Sequence, residues 1–186
     1  MDYKERILKQ VIDWEKIDKL NIPDVIEVFD VNETDFINYK ESTFMIYSGI
    51  SCTFKCDKEN GTQICQNWGI RNNKRIKTSI EGLINKYLNQ NISKSISFQG
   101  LEPLDNLFQL LCFIYRFRIK CDDPIIIWTG YTEEECDSLI QLIKSMNLKN
   151  IIIKFGRYIP GQKSHYDEIL GIRLSSDNQY SKMINE

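Results

Sequence analysis

Three short β-branched runs set the strongest constraint on the fold. They are SISF (Ser95–Phe98), IIIW (Ile125–Trp128) and IIIKF (Ile151–Phe155), separated by stretches with helical spacing. Runs this short and this rich in isoleucine read as buried strands. TSIEGLINKYL opens with Thr78 and Glu81 in capping-box spacing, then places Leu83, Ile84, Tyr87 and Leu88 on one helical face. TEEECDSLIQLIKSM repeats the device with Thr132 and Glu135, followed by Cys136, Leu139, Ile140 and Ile143. Another helix is expected from about Asp105 to Ile119. Parallel neighbours need a crossover, and a helix supplies it, so the alternation predicts an α/β fold with mostly parallel strands.

Upstream, MIYSGI (Met45–Ile50) reads as the first strand of the series, leading straight into a cysteine-bearing segment. That places the segment after a strand's carboxyl end, where ligands collect in α/β sheets and barrels. YKERILKQVIDWEKIDKL has helical spacing at Ile7, Val11 and Trp14, and VIEVFDV has the look of a strand. Residues 1–43 are therefore expected to form an N-terminal extension packed on a core of residues 44–180, the whole of 1–186 making one domain.

Composition excludes several classes. With 42% hydrophobic and 27% charged residues the chain is neither disordered nor membrane-spanning in character. MDYKERILKQ lacks the unbroken apolar stretch of a signal peptide, so a cytoplasmic location is expected. A net charge of -2 argues against direct nucleic-acid binding, and RNNKRIK (Arg71–Lys77) reads as a solvated loop. Six cysteines kept reduced in that compartment point to metal or catalysis rather than to disulfides.

Two segments carry chemistry. Cys52, Cys56 and Cys65, in C-x3-C-x8-C spacing, can supply three thiolates from one loop, with Asn60-Gly61 letting the long gap fold back. Zinc normally wants a fourth nitrogen or sulfur ligand, and the only histidine, His165, is far along the chain. Three unligated thiols is the remaining alternative. In SFQGLEPLDN, Gly100 allows a backbone to approach a ligand and Glu102 can accept from an ammonium group. The same stretch also reads as a strand-to-helix turn with Asp105 as N-cap. Cys112 and Cys136 fall on apolar helix faces and Cys121 in a turn, outside this chemistry.

Taken in order, these motifs resemble the radical S-adenosylmethionine (SAM) superfamily, and within it the activating proteins of anaerobic (class III) ribonucleotide reductases. That superfamily carries a C-x3-C-x2-C loop after the first strand and Gly-Gly-Glu-Pro after the second; here Gly100, Leu101, Glu102 and Pro103 stand at the latter. WTGY (Trp128–Tyr131) is intact, FGRY (Phe155–Tyr158) is similar to an Asp-Gly-Arg-Phe stretch, and SSDNQ (Ser175–Gln179) to Ser-Ser-Asn-Gln. DFINYK (Asp35–Lys40) is similar to Asp-x-x-Asn-Gly, so the likeness runs over roughly residues 35–180. The departures are a cysteine gap six residues longer, Leu101 for glycine, Ile64 for an aromatic residue and Phe155 for aspartate.

The resemblance implies a partial (β/α) barrel in which Cys52, Cys56 and Cys65 hold a [4Fe-4S] cluster. It further implies that Gly100, Leu101 and Glu102 hold the SAM amino group, with Thr129, Ser175 and Asn178 as further cofactor contacts. The implied activity is one-electron cleavage of SAM to a 5'-deoxyadenosyl radical, which takes hydrogen from a glycine Cα of an anaerobic ribonucleotide reductase. A flavodoxin or ferredoxin would be the electron donor. Two other functions stay open: a radical SAM enzyme acting on another protein or peptide, and a non-catalytic cluster- or zinc-binding module.

Overall fold

Side chains alternate across a strand, so each strand's sequence decides which face of the sheet is apolar and which is left for chemistry. The computed structural model describes residues 2–48 and 52–185; Gly49 and Ile50, the end of the strand expected from Met45, lie outside them. In chain order the elements are α1 (Tyr3–Glu15), β1 (Ile26–Asp35), β2 (Thr43–Ser48), α2 (Lys55–Asn60), β3 (Ile76–Thr78), α3 (Ile80–Leu88) and β4 (Ser95–Gly100). They continue with α4 (Leu107–Arg118), β5 (Ile125–Trp128), α5 (Asp137–Ser145), β6 (Ile151–Phe155), β7 (His165–Asp167), β8 (Ile172–Leu174) and β9 (Tyr180–Met183).

One seven-stranded sheet runs β3-β1-β2-β4-β5-β6-β9, and β7 and β8 form a separate hairpin. The central strands β2, β4, β5 and β6 are parallel neighbours, as the βα alternation requires. The flanking strands are antiparallel: β1 beside β2, β3 beside β1, and β9 beside β6. The described residues form an open mixed sheet, with no closed barrel among them. Two expectations are corrected. The N-terminal segment does not only pack on the core, since β1 is a full member of the sheet. RNNKRIK is not all loop, because Ile76–Thr78 pairs with Ile26–Val28.

Phe44, Ile46, Ile96, Phe98, Ile127, Ile153 and Phe155 face the helices and share one core with them. Each such burial removes enough apolar surface to contribute about 1.5–3 kcal/mol before conformational entropy is counted. Helix α1 lays Ile7, Val11 and Trp14 into the same core, packing on α4 and α5. Cys112 and Cys136 are fully buried there as small hydrophobes. The opposite face bears Thr43 and Ser97, their hydroxyls 3.2 Å apart, and a second small cluster of Ile126 and Ile152 with Leu170 and Leu174.

The helix starts follow local chemistry, with two changes from expectation. Thr132 and Glu135 form the reciprocal capping box, at 2.8 and 3.2 Å, in the turn leading to α5. At α3 the cap is Ser79, not Thr78: its hydroxyl accepts the Gly82 N–H at 2.9 Å while Asp24 accepts the Glu81 N–H. Asp105 does not cap α4; it accepts the Tyr131 hydroxyl and pairs with Arg6 at 3.2 Å, tying α1 to the turn after β4. Among the described residues no helix is long and apolar enough to cross a membrane.

Candidate metal centre

The parallel strands β2, β4, β5 and β6 end on one side of a cavity of about 580 Å³, within the range that small-molecule cofactors occupy. Cys52, Cys56 and Cys65 all line it. The Cys52 sulfur accepts the backbone N–H of Phe54 at 3.3 Å, and the Cys56 thiol lies 4.0 Å from the Asp57 carboxylate. An N–H bond to sulfur favours the thiolate, the form that binds metal. The Cys56 thiol donates to Cys65, which pulls Cys65 below the ordinary thiol range and pushes Cys56 above it. Burial pushes Cys52 up to about 12. Cys52 and Cys56 are thus held as neutral thiols, and a cation there would stabilise their thiolates.

Tertiary contacts hold this loop from outside. The Tyr3 hydroxyl at the start of α1 donates to Thr53 at 3.0 Å, and Lys55 meets Glu135 at 3.3 Å, which also pairs with Arg157 at 3.4 Å. Asn67 donates its amide to the Gly100 carbonyl, fastening the loop to the end of β4. Among the described residues, no three His, Cys, Asp or Glu side chains are placed to hold a single metal ion. A mononuclear zinc site gathers four donors on one ion at ~2.0–2.3 Å. In an iron–sulfur cluster each cysteine sulfur meets its own iron instead.

The other expected residues sort clearly. Gly100, Leu101, Glu102, Thr129 and Ser175 line the same cavity. Gly100 has φ +105°, and a Cβ there would meet the Ser48 carbonyl at 3.1 Å, so the backbone at this strand end has no room for a side chain. Glu102 is fully buried, and its carboxylate accepts from the Thr129 hydroxyl at 2.7 Å, the Gly130 N–H at 2.9 Å and the Leu104 N–H at 3.2 Å. Burial nevertheless raises it to about 7. Asn178 does not reach the cavity wall; its amide donates to the Arg157 carbonyl at 2.9 Å behind Gly156. The neighbouring Gln179 lines the cavity instead and accepts the Ser175 N–H at 3.1 Å. Ile64 lines the cavity, whereas Phe155 points into the helix-side core against Tyr180, their rings 5.5 Å apart.

Two further residues complete the wall, of which Lys154 was not singled out from the sequence. Lys154, only 5% exposed, donates to the Gly156 carbonyl at 2.6 Å, and burial lowers its amine to about 7. The Trp128 indole N–H is buried without a partner among the described residues. The signal for Lys154 was present in IIIKF: a lysine inside an otherwise apolar strand either points to solvent or into a polar site.

Gly156 itself is irreplaceable by geometry. It adopts φ +90°, and a Cβ would sit 2.7 Å from the Asn178 carbonyl oxygen. Gly156→Ala is expected to cost about 2–4 kcal/mol in urea unfolding, combining the left-handed backbone penalty with a backbone clash that no rotamer relieves.

No curated protein and no solved structure matches this chain. The family described as 4Fe-4S single cluster domain matches residues 43–180, from the first strand of the parallel set to the start of β9. That span takes in all three cysteines, both Gly100 and Glu102, and every parallel strand of the sheet. With three cysteines lining one cavity inside a match over most of its length, the chain belongs to the 4Fe-4S single cluster domain family and is an iron–sulfur protein.

Proposed function

We propose that this protein is a radical SAM activating enzyme with a partial-barrel-like sheet, which cleaves SAM to install a glycyl radical on an anaerobic ribonucleotide reductase. One observation carries the reading: the three cysteine sulfurs and the buried Glu102 carboxylate open into the same cavity at the carboxyl ends of parallel strands. Iron alone does not need Glu102, whereas an amino-acid-bearing cofactor beside the iron does. When bound, a [4Fe-4S] cluster supplies one electron to the sulfonium of SAM. Cys52, Cys56 and Cys65 would hold three of its irons.

The remaining work falls to the chain's own residues. Glu102 retains lone-pair capacity on Oε2, which takes only the Gly130 N–H, and is placed to accept from the methionine ammonium. Lys154 and the unpartnered Trp128 N–H offer donors to the methionine carboxylate. Leu101 and Ile64 supply apolar wall that excludes water from the reacting bond. The cavity's open side leaves room for a glycine-bearing loop of a protein substrate, and a flavodoxin or ferredoxin would deliver the electron. Phe155, turned into the core where the related motif has aspartate, favours a second reading in which the same chemistry serves another protein or peptide.

Anaerobic reconstitution with iron and sulfide tests the proposal. Expected are about four irons per chain, release of 5'-deoxyadenosine on reduction with SAM, and loss of both in Cys52→Ala, Cys56→Ala and Cys65→Ala. A glycyl-radical signal on mixing with a class III reductase supports the activase reading; good SAM cleavage with a silent spectrum shifts it to the second. Iron binding without any deoxyadenosine would sink both.

A further inference from the structure

The gap of eight residues between Cys56 and Cys65 closes on itself at one side chain. Asp57 Oδ1 accepts the N–H of Ile64 at 2.8 Å and the N–H of Cys65 at 2.9 Å. The chain therefore leaves at Asp57 and returns to it seven residues later. Everything between, residues 58–63, is exposed, whereas Cys56, Asp57, Ile64 and Cys65 are half-buried. The excursion is short helix and turn: α2 ends at Gly61, whose φ is +67° and whose missing Cβ faces open space. Removal of residues 58–63 would leave Cys56-Asp57-Ile64-Cys65, a two-residue gap.

We infer that Asp57 is a positioning residue, whose carboxylate makes the long gap behave as a two-residue one and so sets Cys65 beside Cys56, and that residues 58–63 are an appendage dispensable for holding the cluster. The inference rests on reading Cys52, Cys56 and Cys65 as ligands. Among the described residues no other side chain bonds both returning N–H groups. The same oxygen lies 4.0 Å from Cys56 Sγ, so Asp57 also brings a negative charge to the sulfur that would carry iron. Net charge and hydrogen bonding around the sulfurs tune a cluster's reduction potential. Losing the charge but keeping the acceptor should raise the potential without displacing Cys65.

The test uses the full chain, reconstituted anaerobically, with iron retention measured against a chelator, the electron spin resonance spectrum of the reduced protein, and a redox titration. Asp57→Asn keeps an oxygen acceptor and is expected to retain iron like the parent, at a more positive potential. Asp57→Ala is expected to weaken iron retention about 10- to 100-fold, the usual scale for losing a group that orients a ligand. Excision of residues 58–63 should restore retention, and Asp57→Ala made in the excised chain should then have little effect, because the covalent link replaces the carboxylate. That rescue separates positioning from a general loss of fold. Asp57→Ala retaining iron with an unchanged spectrum overturns the inference, as does equal damage by Asp57→Ala in the long and excised chains. If Cys65→Ala keeps its iron, the ligand reading has failed and takes this inference with it. If Cys65→Ala loses iron but Asp57→Ala does not, only the inference fails.

Discussion

Lys154→Met is expected to stabilise the cluster-free chain at neutral pH by about 2–4 kcal/mol while weakening binding of a carboxylate-bearing ligand in the cavity. The amine is lowered from 10.5 to about 7 by burial, with attraction from Glu102 opposing only part of the cost. Among the described residues its hydrogen bond is to the Gly156 carbonyl, and that carbonyl keeps a bond from Gln179 when the lysine goes. Methionine fills similar volume without the desolvation cost. The sign of the pH dependence follows from the lowered value. Above about 7 the folded chain sheds a proton that the unfolded chain keeps until about 10.5, so wild-type stability rises with pH across that interval. Urea unfolding between pH 7 and 8, below the main ionisation of the unfolded thiols, should give a more positive slope in the wild type than in Lys154→Met, the difference isolating the lysine from the thiols both chains share. A wild-type slope unchanged by the substitution would show that Lys154 is solvated rather than buried. Stability gained with affinity lost is the mark of a residue kept for binding.

Glu102→Ala should have the opposite effect, costing about 3–4 kcal/mol, because it strands the Thr129 hydroxyl and the Gly130 and Leu104 N–H groups at the meeting of three segments. Glu102→Gln keeps one oxygen for Thr129 and Leu104 but turns a donor toward the Gly130 N–H, so about 1–2 kcal/mol is expected. Its raised value, about 7 against 4.5, makes the folded chain hold a proton the unfolded chain has released. The associated stability is full below about 4.5 and is lost as pH rises through 7; the Gln variant should lack that fall. Both variants should abolish deoxyadenosine release, and Glu102→Gln should do so with its iron retained. Loss of iron together with activity would place Glu102 in support of the cysteine loop instead.

The parallel centre of the fold was legible because its strands are buried on both faces. IIIW and IIIKF announce themselves by composition alone, and the structure returns them with the expected ends. Capping chemistry was legible at Thr132 and Glu135, where both partners lie within one turn. At α3 it misled, because the deciding acceptor, Asp24, arrives from far upstream. The short edge strand β3 was hidden for the same reason: Ile76–Thr78 is half polar and extended only through its pairing with β1. Among the residues that line the cavity or brace its loop, the cysteines and Glu102, with scarce chemistry, were singled out from the sequence, whereas Asp57 and Lys154 were not. An aspartate among charged loop residues gains meaning only from the backbone that returns to it, and a strand lysine only from the face it occupies. Asn178 and Gln179 show the limit of reading adjacent residues, since one faces the cavity and the other props Gly156 from behind.

The grip of α1 on the cysteine loop has a consequence for biosynthesis. Tyr3 reaches Thr53 only when α1 is seated, and its seat is made by α4 and α5, which end at Arg118 and Ser145. A ribosome delivers the cysteines well before that seat exists. Until that seat forms, the loop lacks the Tyr3–Thr53 bond that braces it from outside. Ordering of the cysteine loop is therefore tied to docking of the amino-terminal helix, which waits on residues 107–145.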